Sequence, residues 1–144
     1  MSKDFFSEDE QKRIVSAIAE AELNTSGEIR VHLANRCWSD PKKEAIRVFK
    51  RLNMDQTELR NGVLIFLAVN NKKFAIVGDQ GINDAVPNDF WDSVRDLIIG
   101  HFKMGNFEQG LSEGIVLVGE KLKEFFPYQD DDENELSNEI SFSN

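Results

Sequence analysis

The chain has 144 residues and a mass of 16.4 kDa, which is the size of one domain. It has a single cysteine and no apolar run of roughly 20 residues, which excludes an internal disulfide, a cysteine metal cluster and a membrane-spanning helix. The formal net charge of −9 argues against general nucleic-acid binding and against adsorption to acidic lipid.

The first ten residues, MSKDFFSEDE, lack the apolar stretch of a signal peptide, so we expect a cytoplasmic protein. Ser7 with Glu10 three residues later is a capping-box pattern. The apolar residues that follow recur at helical spacing. Together these signals predict a helix over residues 8–23.

Residues 28–34 alternate between apolar and polar side chains, which predicts a strand with one polar face. Glu28, Arg30 and His32 form that polar face. Two interpretations stay open: an edge strand with a solvated face, or an acid, a base and a cation that together line a cleft. The general tendency of charged residues to be exposed favours the solvated face.

The next segment is positively charged, with seven bases and four acids over residues 35–60. Asp40 followed by Pro41 predicts the start of a helix that carries most of these bases. The run GVLIFLAV from Gly62 is apolar on both faces and predicts a central strand. Asn70 and Asn71 then suit a two-residue hairpin turn into a returning strand over residues 73–77.

Six oxygen-bearing side chains occur within fifteen residues after this strand, in a stretch too rich in Gly, Asn and Asp for regular structure: Asp79, Asn83, Asp84, Asn88, Asp89 and Asp92. Such residues usually form turns and helix caps, and that interpretation is favoured. The alternative is a site for a hard cation such as Ca²⁺ or Mg²⁺, which prefers oxygen ligands. Two further helices are predicted, from Pro87 and from Asn106.

The predicted order of elements is α β α β β α α. A helix between the first two strands favours a parallel crossover, and the hairpin makes the third strand antiparallel. The fold class is therefore α/β: a three-layer α/β/α sandwich with a small mixed sheet flanked by helices on both faces. In this arrangement the end of the third strand lies beside the start of the first, which would place Asp79 and Asp84 near Glu28.

The C-terminal residues 128–144 contain six acids and no base, so we expect a single domain over residues 1–127 followed by a mobile acidic tail. Two alternatives remain for this tail. In the first, the tail binds cations or a partner. In the second, its segment ELSNEISF docks as a short amphipathic element.

Three stretches of the chain resemble the TPM domain family: TSGEIRVHL, GVLIFLAVNNKKFAIVGDQGINDAV and FKMGNFEQGL. The family includes a plant thylakoid-lumen acid phosphatase, a photosystem II repair protein and a worm receptor modulator. The resemblance covers about residues 8–125 and implies an α/β/α sandwich. It also implies acidic residues after the Val-Gly strand that hold a divalent ion, and the matching positions in this chain are Asp79 and Asp84.

Two hypotheses for function follow. The first is a stand-alone accessory or interaction module that binds Ca²⁺ or Mg²⁺ through Asp79 and Asp84, with Glu28 as a remote ligand. The second is a metal-assisted acid phosphatase in which Arg30 or His32 is the catalytic cation or acid. We expect Arg30 and His32 on an open or half-open face, which favours the first hypothesis. We also expect the protein to be a monomer with a protein partner. We expect it neither to bind nucleic acid nor to insert into a membrane.

Overall fold

The computed structural model describes residues 2–129 and 135–143. These residues contain five α-helices, two short 3₁₀ helices and one four-stranded sheet. The helices and strands, in chain order, are α1 Glu8–Glu22, β1 Glu28–Ala34, α2 Pro41–Arg51, β2 Gly62–Ala68, β3 Lys73–Gly78, α3 Gln80–Ala85, α4 Asp92–Lys103, α5 Phe107–Leu122 and β4 Ser141–Ser143. Among the described helices, none is long and apolar enough to cross a membrane.

The sheet has the strand order β3-β2-β1-β4. β1 is parallel to β2, β3 runs antiparallel to β2, and β4 is parallel to β1. The predicted directions of the first three strands are therefore confirmed. Every residue of β2 is buried, as expected of a central strand that is covered on both faces.

Helices cover both faces of the sheet, which confirms the α/β/α sandwich. The larger core cluster joins one face of the sheet to α1, α4 and α5, and includes Ile14, Ile98 and Leu111. On the other face, Val48 and Phe49 of α2 pack against Leu64 and Phe66 of β2. Each such fully buried apolar side chain contributes about 1.5–3 kcal/mol relative to an exposed one.

The starts of α1 and α2 follow the sequence signals, whereas α4 begins at Asp92 and not at the predicted Pro87. Ser7 Oγ accepts a hydrogen bond from Glu10 N at 3.1 Å, and Glu10 Oε1 accepts one from Ser7 N at 2.9 Å, so the capping box is formed. Asp40 caps α2 by accepting from Lys43 N at 3.3 Å, with Pro41 as the first helical residue. These bonds satisfy amide groups that the helix itself leaves without partners.

Two further local predictions were wrong. In the β2–β3 turn the positive φ of 55° belongs to Lys72 rather than to an asparagine. Lys72 Nζ lies 4.3 Å from the ring centre of Phe5 and 4.7 Å from that of Phe107. These contacts with residues distant in sequence stabilise the turn. The segment after β3 is not irregular but forms α3, because Asp79 caps it and Ile82 is completely buried.

The C-terminal segment also differs from the expected mobile tail. Its residues 141–143 form β4 on the edge of β1, and Ser143 O accepts a hydrogen bond from Asn35 N at 3.2 Å. Ile140 and Phe142 pack against the larger core cluster. A strand edge left unpaired exposes amide and carbonyl groups, and β4 covers that edge. Most of the acidic run, residues 130–134, lies outside the described residues.

Candidate functional site

An open cleft of about 670 Å³ lies between α2, β3, α3 and the start of α4. Its floor is apolar, with Phe49, Ile76 and Trp91 among its residues. Its walls carry side chains of both charges: Asp55, Asp79, Asp84, Lys42, Lys50, Arg60 and Arg95. The cleft thus brings together two of the three predicted metal ligands, Asp79 and Asp84.

Asp79 is the most constrained acid of the cleft. It lies at the junction of β3 and α3, with 5% of its side chain exposed. Its Oδ2 accepts from Arg60 Nε at 2.8 Å, and its Oδ1 accepts from Arg60 Nη2 at 2.9 Å and from Gln80 N at 2.8 Å. The carboxylate therefore caps α3 and holds Arg60 in a two-pronged ion pair.

Arg60 is held in place from both ends. Its backbone has a positive φ of 50°, an uncommon conformation for a residue with a side chain. Its side chain is 44% exposed, and the hydrogen bonds that it donates to Asp79 raise the pKa of its guanidinium above the usual value. The guanidinium of Arg60 is thus half-open to water, while the carboxylate of Asp79 that it contacts is buried.

Asp84 differs from Asp79 because it is exposed, near the end of α3. The position of α3 itself depends on Gly81. A Cβ atom at Gly81 would overlap the carbonyl oxygens of Leu59 and Arg60, so only glycine allows this close approach. The same loop therefore supplies Arg60 and supports the helix that presents Asp84.

Glu28, the predicted remote ligand, does not reach the cleft. In the sheet Glu28 is opposite Gly62 of β2, and Gly78 pairs with the far side of β2, at Val63, so β2 separates the two acids. Glu28 is buried, and its Oε1 accepts from Leu136 N at 2.7 Å. Across residues 2–129 and 135–143 there is no group of three or more His, Cys, Asp or Glu side chains placed to hold a metal ion.

The two candidate catalytic residues lie on the same face of β1 as Glu28 and do not line the cleft. His32 is only 1% exposed, so the expected open or half-open face is wrong for this residue. Its Nδ1 lies 2.7 Å from Ser141 Oγ and its Nε2 lies 2.8 Å from Ser143 Oγ. β4, far away in sequence, therefore closes the face that alternation on β1 suggested was solvated.

Burial sets the protonation state of His32. Loss of hydration, followed by the nearby charges of Arg51 and Arg30, lowers the pKa of His32 to about 4. The imidazole is therefore neutral at neutral pH and bonded at both nitrogens. Arg30 is half-buried, and its Nε is buried without a hydrogen-bond partner among the described residues.

Sequence reasoning missed Glu22, at the end of α1. Its Oε2 accepts from Ile29 N at 3.1 Å, and burial raises the pKa of its carboxyl to about 7. The nearby charge of Glu28 acts in the same direction. An acid in the last turn of a helix opposes the helix dipole, and that is the signal by which the sequence marks Glu22.

Sequence reasoning also missed Arg60. The only sequence signal is a base two residues before the central strand, which does not indicate that its partner is Asp79, nineteen residues later. The cleft side chains fit a hard cation in kind, since Asp79, Asp84 and Asn88 supply carboxylate and amide oxygens. However, Arg60 engages both oxygens of Asp79, so an ion that binds this carboxylate has to compete with the guanidinium.

A family model and solved structures of other proteins match this chain. The model of the TPM domain family matches residues 2–121. The BA42 protein from the psychrophilic bacterium Bizionia argentinensis, whose structure was solved by NMR, is 51% identical. The match covers 99% of this chain and 98% of BA42, with a TM-score of 0.92. No curated protein matches the chain significantly.

Two more distant solved structures share the fold. The N-terminal domain of a protein from P. gingivalis is 19% identical, with a TM-score of 0.69 over 85% of this chain and 80% of that domain. The N-terminal domain of the cg2496 protein from Corynebacterium glutamicum is 12% identical, with a TM-score of 0.65 over 94% of this chain and 79% of that domain. At such identities the likeness concerns the fold alone.

Proposed function

Because the chain belongs to the TPM domain family, we propose that it is a binding module that takes a divalent cation, Ca²⁺ or Mg²⁺, in the cleft between α2, β3 and α3. One observation carries this proposal: Asp79 and Asp84 line the same open cleft. Carboxylate oxygens are the ligands that hard cations prefer. The module has an accessory role, and its partner is a protein.

Asp84 is the first ligand in this proposal because its carboxylate is exposed. Asp79 is the second, and it exchanges its contact with Arg60 for a contact with the ion. Three further bases, Lys42, Lys50 and Arg95, line the cleft and oppose a cation. We therefore expect an affinity on the order of 10⁻⁴–10⁻³ M, as in weak calcium-binding modules.

A titration with Ca²⁺ and with Mg²⁺, followed by amide chemical shifts, tests the proposal. We expect localised changes over residues 78–84 that weaken in both Asp79→Asn and Asp84→Asn. Glu28→Gln is the matched control, since it removes a carboxylate outside the cleft and should leave the titration unchanged. Changes confined to residues 130–139 at millimolar ion would mean that the acidic segment is the only cation sink, and would end the proposal.

A second candidate function is a metal-assisted acid phosphatase. The same three bases favour it, because Lys42, Lys50 and Arg95 provide donors for a phosphate in the cleft that holds Asp79 and Asp84. Arg30 and His32 lie outside that cleft and take no part in this version. Hydrolysis of an aryl phosphate that is lost with a chelator and in Asp79→Asn supports it. Hydrolysis that survives both changes comes from another site or a contaminant.

A further inference from the structure

A basic surface with apolar residues among its charges covers α2 and the loop before it. We call this surface the α2 basic face. It carries six bases against two acids, Asp40 and Glu44, over residues 36–51. Its members are Arg36, Trp38, Lys42, Lys43, Ile46, Arg47, Lys50 and Arg51.

Trp38 is the most unusual member of this face. Its side chain does not enter the core, and the residue is 79% exposed, more than the other exposed large hydrophobic residues of the described chain. The guanidinium of Arg36 lies 5.7 Å from the centre of its ring. Arg47 of α2 donates to Ser39 Oγ at 3.4 Å, so the loop that carries Trp38 folds against the helix.

The bases of α2 surround a second exposed apolar side chain. Ile46 is 38% exposed, and at helical spacing it lies between Lys42 and Lys50, one turn away on either side. The buried half of α2 consists of other residues, Ala45, Val48 and Phe49. Trp38 and Ile46 therefore do not belong to the core.

We propose that the α2 basic face docks the protein reversibly onto an anionic lipid surface. Tryptophan is favoured at the membrane–water boundary, where its ring meets hydrocarbon and its N–H meets water. Lysine and arginine beside it are attracted to anionic headgroups. Ile46 adds an apolar contact that a phosphate backbone would not use, which separates lipid from nucleic acid as the partner.

This proposal revises the expectation from net charge. Charges farther apart than about 8 Å are largely screened at physiological ionic strength, so the local charge next to the lipid decides attraction. The α2 basic face has a local excess of bases within a chain whose formal charge is −9.

The experiment measures tryptophan fluorescence with vesicles of phosphatidylcholine, with or without phosphatidylglycerol. Trp38 should shift its emission to the blue only with phosphatidylglycerol present, while Trp91, which is 8% exposed, serves as an internal reference. The shift should vanish in Trp38→Phe and at about 1 M salt. Lys42, Ile46 and Lys50 of the α2 basic face also line the cleft, whereas Trp38 and Lys43 do not. The variants that test lipid binding are therefore made at Trp38 and Lys43, outside the proposed cation site.

Charge reversal at two positions separates the local face from the total charge. Lys43→Glu should weaken vesicle binding roughly tenfold or more, because it replaces an attraction with a repulsion. Lys12→Glu makes the same change in total charge at an exposed position of α1 and should leave binding unchanged. Absence of binding to anionic vesicles, equal weakening by both variants, or a response to oligonucleotides or acidic peptides without one to vesicles would each overturn the proposal.

Discussion

Two regions of the molecule have the same kind of sequence signal and opposite surroundings. The cleft holds Asp79 and Asp84 with bases around them and is open to water. The polar face of β1 holds Glu28, Arg30 and His32, and it is covered by the C-terminal segment. Acids and bases in a short stretch therefore do not by themselves indicate a site. What separates the two regions is whether the C-terminal segment covers them or leaves them open to water.

The comparison predicts its largest effect at His32. The unfolded chain binds a proton near the ordinary histidine pKa of about 6.5, whereas the folded chain keeps His32 neutral until about pH 4. Between these pH values the unfolded state binds more protons, so stability falls as pH falls. The loss reaches about 3 kcal/mol by pH 4.

Urea unfolding of the wild-type protein and of His32→Gln, at pH 7 and near pH 4, measures this loss. The stability of the wild-type protein relative to the variant should fall by that amount on acidification. If the difference in the free energy of unfolding between the two proteins is the same at both pH values, burial does not keep His32 neutral in the folded protein.

The open region depends on one glycine. Gly81→Ala places a Cβ against the backbone oxygens of Leu59 and Arg60, so α3 must shift. We expect a loss of about 2 kcal/mol in the free energy of unfolding, typical of overpacking. Gly100→Ala is the matched control, because a Cβ there meets nothing within 4 Å, and it should stabilise α4 by about 0.5–1 kcal/mol. Equal effects of the two substitutions would contradict a close approach of α3 to the loop at Gly81.

At Glu22 we expect a smaller effect on the free energy of unfolding, with the opposite dependence on pH. Its pKa is raised to about 7 in the folded protein, so the carboxylate destabilises the fold increasingly as pH rises from about 4.5 to 7. Glu22→Gln retains an acceptor for Ile29 N and removes the charge. We expect a gain of about 1–2 kcal/mol at pH 8, allowing for partial exposure to water, and little gain at pH 4.5. Thermal unfolding at both pH values checks this, and an equal gain at both would show that the buried charge of Glu22 is not the cause.

The smallest expected effect is at Asp84. Because this carboxylate is exposed, Asp84→Asn should change the free energy of unfolding by no more than about 0.5 kcal/mol. The same variant should weaken the calcium-induced amide shifts of the cleft. Urea unfolding and an amide titration on the same sample measure these two effects of Asp84→Asn. A large loss of stability would show that Asp84 has a structural role and is not available to a ligand.

The sequence was enough to predict the sandwich because its signals are local. Ser7 with Glu10, Asp40 with Pro41, and the apolar run from Gly62 each determine an element within a few residues. The surroundings of the predicted site residues could not be predicted in the same way, because their geometry depends on pairings between distant residues. Arg60 lies nineteen positions from Asp79, and Ser141 lies more than one hundred positions from His32. No periodicity or spacing in the chain encodes such contacts.

The most direct test of the cleft as a cation site is a calcium titration of the wild-type protein and of Arg60→Gln, followed by the amides of residues 79–84. Arg60 donates to both oxygens of Asp79, so its removal should free this ligand for the ion. We predict roughly fivefold tighter binding in the variant, the size of a partly exposed ion pair. Unchanged or weaker binding in Arg60→Gln would contradict competition between the guanidinium and the cation.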